Sequence, residues 1–263
     1  EVMGVEYAGK SISKVITNKG AIKIDYLVVG VGPWINNFWK ILELPQKIRI
    51  KDGEKFFDNV EMWRYYCLQE GTIGVDPNIL KTNDGKMPPV VHVDSDEPLY
   101  SDTNGDLITD KMWGIYYKPD FSFDGIQGGS APYDVDNTGE DFSVDPYGTE
   151  SPDFVVGKDF IDMWCSALAF CQKRFEGSRY LYREKPSGGL GALAPDSFPV
   201  FDVFHENCYV IADSNHGWKM IGVGKLVSKE IMGESSVLLD PFRFNRFEKG
   251  NLHPVSNSPF PWS

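Results

Sequence analysis

The sequence predicts an α/β domain interrupted by an inserted antiparallel-sheet domain, and three observations carry that expectation. Two apolar runs, residues 26–31 (YLVVGV) and 209–213 (YVIAD), read as strands covered on both faces, and they lie near opposite ends of the chain. Each is followed by a glycine-containing turn and then by a helical pattern. Between them, from Leu44 to about Gly129, short alternating stretches such as EMWRYYCLQ and MWGIYYKPD are separated by Gly, Asn, Asp and Pro, the pattern of antiparallel strands.

Taken in order, VITNKGAIKID reads as two strands turning at Asn18-Lys19-Gly20. The strand at 26–31 stops at Gly30-Val31-Gly32-Pro33, which opens a helix. Residues 134–153 are acidic, punctuated by Gly and Pro, and read as an exposed loop. Phe160, Trp164, Leu168, Cys171 and Phe175 recur at helical spacing, which predicts an amphipathic helix over 159–175 with Gly177 as its stop. A last block starts at Gly188 and contains the second apolar strand, a glycine-rich turn and a helix through Ile231 and Met232 to Gly233. The tail NLHPVSNSPFPWS reads as a surface extension. The expected division is 1–43 and 188–240 for the α/β domain, 44–187 for the inserted domain and 241–263 for the tail.

With 263 residues, 41% of them apolar and 14% aromatic, the chain can bury a substantial core. A formal charge of −12 disfavours nucleic acid and anionic membrane as partners. No apolar run approaches the roughly 20 residues of a membrane span. Cys67, Cys165, Cys171 and Cys208 form no C-x-x-C pair, so reduced thiols in a cytoplasmic protein are expected and no structural metal.

The stretch SNHGWKMIGVGKL, residues 214–226, invites comparison with nucleotide loops and fails both tests. A Walker loop ending at Lys225 needs glycine where Lys219 stands and Ser or Thr where Leu226 stands; a dinucleotide fingerprint starting at Gly222 and Gly224 needs glycine at Val227. The similar run VGVGPWI fails at Ile35. DVDNTGEDFSVD, residues 134–145, places carboxylates and Gly139 as a calcium loop does. Asp141 and the terminal Asp145, with Pro132 and Pro146 flanking, spoil the match, so a solvated acidic loop is expected. His92, His205 and His253 read as structural or surface residues, and no serine sits in a G-x-S-x-G elbow. His216 differs by its place between a strand and a helix start, where backbone N–H groups meet a ligand.

Four blocks in order, KIDYLVVGVGPWINNFW, GIYYKPDFSFDGIQGG, GALAPDSFPVFD and NCYVIADSNHGWKMIGVGKLVSKEIMG, resemble the carboxy-terminal part of the FAD-dependent D-amino-acid-oxidase superfamily, closest to its sarcosine oxidase and dimethylglycine dehydrogenase branch. The resemblance covers roughly residues 1–240. It implies an FAD-binding α/β domain with an inserted antiparallel-sheet substrate domain, and the amino-terminal dinucleotide-binding unit is missing, so a fragment or one half of a split protein is expected. It implies further that Asn215, His216, Gly217, Trp218 and Lys219 form the turn at the flavin ring, with Lys219 anchoring a substrate carboxylate. Gly32, Pro33 and Trp34 close around the FAD, and Tyr117 faces the substrate. The family's covalent cysteine position falls at Gly189, so the FAD is expected to be non-covalent, and its oxygen-reactive lysine appears as Gln127. Without the resemblance, Lys219 also reads as a solvated lysine and Tyr117 as an ordinary strand aromatic.

The implied activity is oxidation of a small secondary or tertiary amine, such as sarcosine or dimethylglycine, by hydride transfer to flavin N5, with oxygen or an electron-transfer acceptor receiving the electrons. A related flavoenzyme for a primary amino acid or hydroxy substrate, and a non-catalytic subunit, are the alternatives, and an oligomer is compatible with either.

Overall fold

The computed structural model describes residues 1–130, 137–138, 158–212 and 220–254. In chain order its strands and helices are β1 (Val2–Ala8), β2 (Ser11–Thr17), β3 (Gly20–Lys23), β4 (Leu27–Val29), α1 (Ile35–Ile41), β5 (Lys47–Asp52), β6 (Lys55–Glu61), β7 (Arg64–Ile73), β8 (Val91–Ser95), β9 (Leu99–Tyr100) and β10 (Leu107–Thr109). They continue as β11 (Trp113–Asp120), β12 (Gly125–Ser130), β13 (Asn137–Thr138), α2 (Lys158–Cys171), β14 (Tyr182–Leu193), β15 (Val200–Phe204), β16 (Cys208–Ala212), α3 (Met220–Ile231) and α4 (Arg246–Lys249). The molecule is thus mixed α/β with antiparallel sheets. It divides into two compact units, one of 1–65, 137–141 and 191–255, the other of 66–136, 142–190 and 256–263.

The first unit contains an antiparallel β1-β2-β3 sheet, a β5-β6 hairpin and a three-stranded sheet ordered β15-β16-β4. In the last, β15 and β16 are antiparallel whereas β16 and β4 are parallel. Helix α3 lays Val223, Leu226, Val227 and Ile231 against Phe201, Tyr209 and Ile211, the i, i+3, i+4 stripe an amphipathic helix buries. Trp39 of α1 is fully buried, edge-on to Trp63 and Phe204, and its indole N–H reaches the Pro45 carbonyl at 2.9 Å.

Two expectations change here. The strand expected over 26–31 is only Leu27–Val29, with Tyr26 and Val28 exposed. Val29 is buried and Val28 is not, so one face is covered where both were expected to be, and among the described residues β4 pairs with β16 alone. The region after Asp240 is folded into the first unit: Phe247 and Arg246 are buried, and Arg246 forks onto Asp196 with two N–H···O bonds of 2.8 Å. Of the tail NLHPVSNSPFPWS only 251–254 are described; there His253 stacks on Phe198 and Phe242 and donates to the Pro241 carbonyl.

The second unit is built on a sheet ordered β8-β11-β12-β7, with β14 also pairing β7. Helix α2 covers one face, burying Phe160, Trp164, Ala167 and Leu168 against Trp113, Ile115, Tyr117 and Ile126. The helix ends at Cys171 instead of running to Phe175, because Gln172 is extended (φ −143°, ψ 109°); a following 3-10 turn returns Phe175 to the same core. Gly177 is left-handed (φ +69°) and starts the next turn rather than stopping the helix. The calcium-like loop 134–145 lies outside the described residues except for the backbone of Asn137–Thr138.

Candidate functional site

Two groups of residues carry chemistry, one in each unit. In the first unit the parallel register pairs Leu27 with Cys208 and Val29 with Val210, so β4 and β16 release the chain at the same sheet edge. Crevices outside the carboxyl ends of parallel strands are where open α/β sheets bind ligands. From β4 come Gly30, Val31 and a 3-10 turn of Gly32, Pro33 and Trp34; from β16 comes the segment 213–219, and then α3. Asn215, His216, Gly217, Trp218 and Lys219 lie outside the described residues.

The turn after β4 is held from behind. Tyr65, 2% exposed, donates its hydroxyl to the Pro33 carbonyl at 2.5 Å and accepts from the Asn36 amide at 3.4 Å. Burial pushes this phenol up to about 12, the Asn36 N–H opposing. Gly32 adopts φ +54°, where a side chain would strain the backbone, and a Cβ built at Gly30 or Gly32 meets no heavy atom within 4 Å. The Trp34 indole N–H is buried and has no acceptor among the described residues. Open space beside two glycines and an orphaned donor fit a ligand that brings its own hydrogen-bond acceptors.

In the second unit the strand alternation of β11 separates two surfaces. Trp113, Ile115 and Tyr117 enter the core beneath α2; Tyr117 is 2% exposed and its hydroxyl accepts from Gln172 Nε2 at 2.6 Å. Burial raises this phenol above its ordinary value, with Gln172 opposing. Tyr116 and Lys118 therefore belong to the opposite face. The register sets Gly129 between Tyr116 and Glu70, and sets Gln127 between Lys118 and Thr72. On that face the Tyr116 hydroxyl donates to Glu70 Oε1, Gln127 Nε2 donates to Glu70 Oε2 at 3.5 Å, and His92 meets the Tyr116 ring edge-on at 6.0 Å. Lys118 pairs with Asp120 at 3.3 Å; burial raises the Asp120 carboxyl, but the amides of Phe123 and Ser122 and the Lys118 ammonium outweigh it and hold it below its ordinary value.

Gln127 thus lies on the polar face and Tyr117 does not; Tyr116 is the tyrosine brought to Gln127. Its signal was present in the sequence, since three apolar residues two apart, Trp113, Ile115 and Tyr117, assign the intervening residues to the other side. Glu70 had no local signal, because only the long-range strand register places it. Gly189 lies within β14.

A cavity of about 650 Å³ in the second unit, lined by Lys81, Gln172, Lys173 and Arg174 among others, and one of about 300 Å³ in the first contain none of the sequence-predicted residues. The smaller is bordered by a satisfied network in which Arg243 bonds Glu230, Tyr209 and the Phe201 carbonyl. That network clamps the end of α3. Among the described residues, no three His, Cys, Asp or Glu side chains are grouped to hold a metal, and no helix is long and apolar enough to cross a membrane.

No family model and no curated protein sequence matches the chain. Solved structures do. L-proline dehydrogenase from P. horikoshii aligns with a TM-score of 0.57 at 21% identity, over 96% of this chain and 55% of that one. A modified fructosyl peptide oxidase from Aspergillus nidulans in complex with FSA aligns with 0.57 at 14% identity, over 92% and 51%. L-amino acid deaminase from Proteus myxofaciens in complex with anthranilate aligns with 0.54 at 16% identity, over 94% and 55%. The shared property is the fold, and the chain spans about half the length of each of these proteins.

Proposed function

We propose that the protein is an FAD-dependent amine oxidoreductase that oxidises a small secondary or tertiary amine, an N-methylated amino acid such as sarcosine or dimethylglycine. The observation that carries this reading is the parallel pair β4 and β16, whose carboxyl ends lie at the same end of the sheet, one followed by the Gly30–Trp34 turn and the other, in sequence, by SNHGWK. Its support from known proteins is a fold shared with a dehydrogenase, an oxidase and a deaminase named for amino-acid or peptide substrates.

In this reading Gly32, Pro33 and Trp34, with 215–219, hold the flavin without a covalent bond, since Gly189 offers no thiol. FAD, when bound, supplies the two-electron acceptor for the carbon next to nitrogen. The chain's residues do the rest. Tyr65 keeps the Pro33 carbonyl and the Asn36 amide in place, the bare glycine backbone admits a flat ligand, and the Trp34 N–H donates to it. Lys219 anchors the substrate carboxylate as a compact cation. Flavin elements are assigned to 1–43 and 188–240 and substrate elements to 44–187, with oxygen or an electron-transfer protein as acceptor.

The anchoring role is tested by steady-state kinetics of Lys219→Met. The Michaelis constant for a carboxylated amine should rise at least tenfold more than that for its uncharged analogue, and equal effects on both would refute it.

A further inference from the structure

The larger of the two cavities lies in the second unit, and its construction follows from the way α2 ends. Extended Gln172 breaks the helix after Cys171, and the following 3-10 turn brings Phe175 back into the core. Lys173 and Arg174, between those two anchors, are exposed and border the cavity of about 650 Å³. More of the lining comes from the turn 77–80 and the residue after it, where Leu80 is buried and Lys81 is exposed. Val91 and Cys171, both packed against the core, join Leu80 as apolar lining. Burial pushes the Cys171 thiol up to about 11, so it stays neutral and adds no charge.

Three cations therefore border one cavity in a chain whose formal charge is −12, and among the described residues no carboxylate lines it. The acids close by in sequence are engaged elsewhere. Asp76 accepts from the backbone and side-chain amides of Asn78, both at 2.9 Å, and Asp84 holds Thr82 and pairs with Lys86 at 2.9 Å. The carboxyl end of α2 favours Lys173 and Arg174 in its own right, but it does not account for Lys81, which arrives from a separate segment. Arg174 is held in place by donating to the Ile79 carbonyl, and Gln172 by donating to the Tyr117 hydroxyl at 2.6 Å. Like charges gathered at one opening repel each other, and an anion between them removes that repulsion. A cleft of this size, with an apolar lining and a few fixed polar groups, has the character of a small-molecule site.

We propose that this cavity binds a small organic anion, a carboxylate with an apolar body. Its charge meets Lys81, Lys173 and Arg174, and its hydrocarbon part rests on Leu80, Val91 and Cys171. The lining contains none of the residues assigned to the flavin or to the amine substrate, so the inference adds a second ligand and does not depend on the oxidoreductase reading.

The test is calorimetric binding to this chain of cyclohexanecarboxylate, its uncharged carboxamide, and acetate. Wild type should bind cyclohexanecarboxylate about tenfold more tightly than either of the others, the carboxamide lacking the charge and acetate lacking the apolar body. Lys81→Met and Lys173→Met lie at exposed positions, and each should weaken the ring carboxylate about threefold or more without changing the carboxamide. Lys219→Met should leave all three affinities as they are. Equal affinity for carboxylate and carboxamide, or acetate held as tightly as the ring compound, overturns the inference. So does a preference that persists in Lys81→Met and Lys173→Met alike, or one that Lys219→Met abolishes, which would move the anion to the substrate site of the proposed enzyme. A wild type that binds none of the three overturns it as well and leaves the oxidoreductase reading standing.

Discussion

Tyr65 has its hydroxyl between the Pro33 carbonyl and the Asn36 amide, two backbone groups at the start of α1. Tyr65→Phe keeps the ring in its buried place and removes both bonds, leaving a part-buried carbonyl with one partner fewer. A loss of about 1–3 kcal/mol in denaturant unfolding is expected, with weaker FAD binding, because the same turn carries Gly32 and Trp34. Asp196 is a stronger case. Its carboxylate holds the buried Arg246 guanidinium and also accepts from the Phe198 and His253 amides, so Asp196→Ala strands a buried cation and should cost about 3–5 kcal/mol in the same measurement. At this scale the sequence was legible where side-chain type and alternation agree. Gln127 was expected at the substrate site from its place in GIQGG, and Tyr117 from the GIYY block, whereas the tyrosine on the face of Gln127 is Tyr116. Which of Tyr116 and Tyr117 turns to the polar face is decided by the apolar set Trp113, Ile115 and Tyr117, a period-two signal stronger than the motif match. Glu70 was not legible, since nothing near it in sequence marks a partner 46 residues away.

Among the elements, β12 is the most constrained by its neighbours. Gly128→Ala places a methyl against the backbone of β11, which cannot move as a side-chain tip would, and should destabilise by about 1–3 kcal/mol or more. Gly129→Val should act differently: the valine blocks the path of the Tyr116 phenol to Glu70 while Tyr117 and its bond to Gln172 persist. Unfolding midpoints of the two variants check the difference, with Gly128→Ala the more destabilising. Helix α2 was readable as a periodic pattern and β16 as an apolar run, and α2 differs only in its end, where extended Gln172 replaces a last turn. Strand β4 read as longer and more buried than it is because an apolar run records preference for a covered strand and carries no information on how many neighbours pair with it.

For the molecule as a whole, several buried acids hold their protons past their ordinary range. Burial pushes Cys208 up to about 12, burial and then the Asp102 charge push Cys165 up to about 12, and Tyr65 reaches about 12. The unfolded chain releases these protons first. Stability that is complete below about pH 9 should therefore fall as pH rises toward about 12, each group contributing on the order of 3 kcal/mol. Unfolding midpoints between about pH 8 and pH 11 check the sign. The mixed α/β class was legible from where apolar runs and alternating stretches lie along the chain, and the shared fold of the solved structures agrees with it. The segment most expressive of function in the sequence, SNHGWK, lies outside the described residues, and the elements that flank it in the chain are β16 and α3.

The central claim, that this fold serves flavin-dependent amine oxidation, is tested most directly by loading the purified protein with FAD and recording the visible flavin spectrum during anaerobic addition of dimethylglycine. The account predicts a retained flavin whose visible band bleaches on adding the amine and does not bleach with 3-methylbutanoate. A protein that retains no flavin, or one whose flavin stays oxidised with every secondary and tertiary amine supplied, would contradict it.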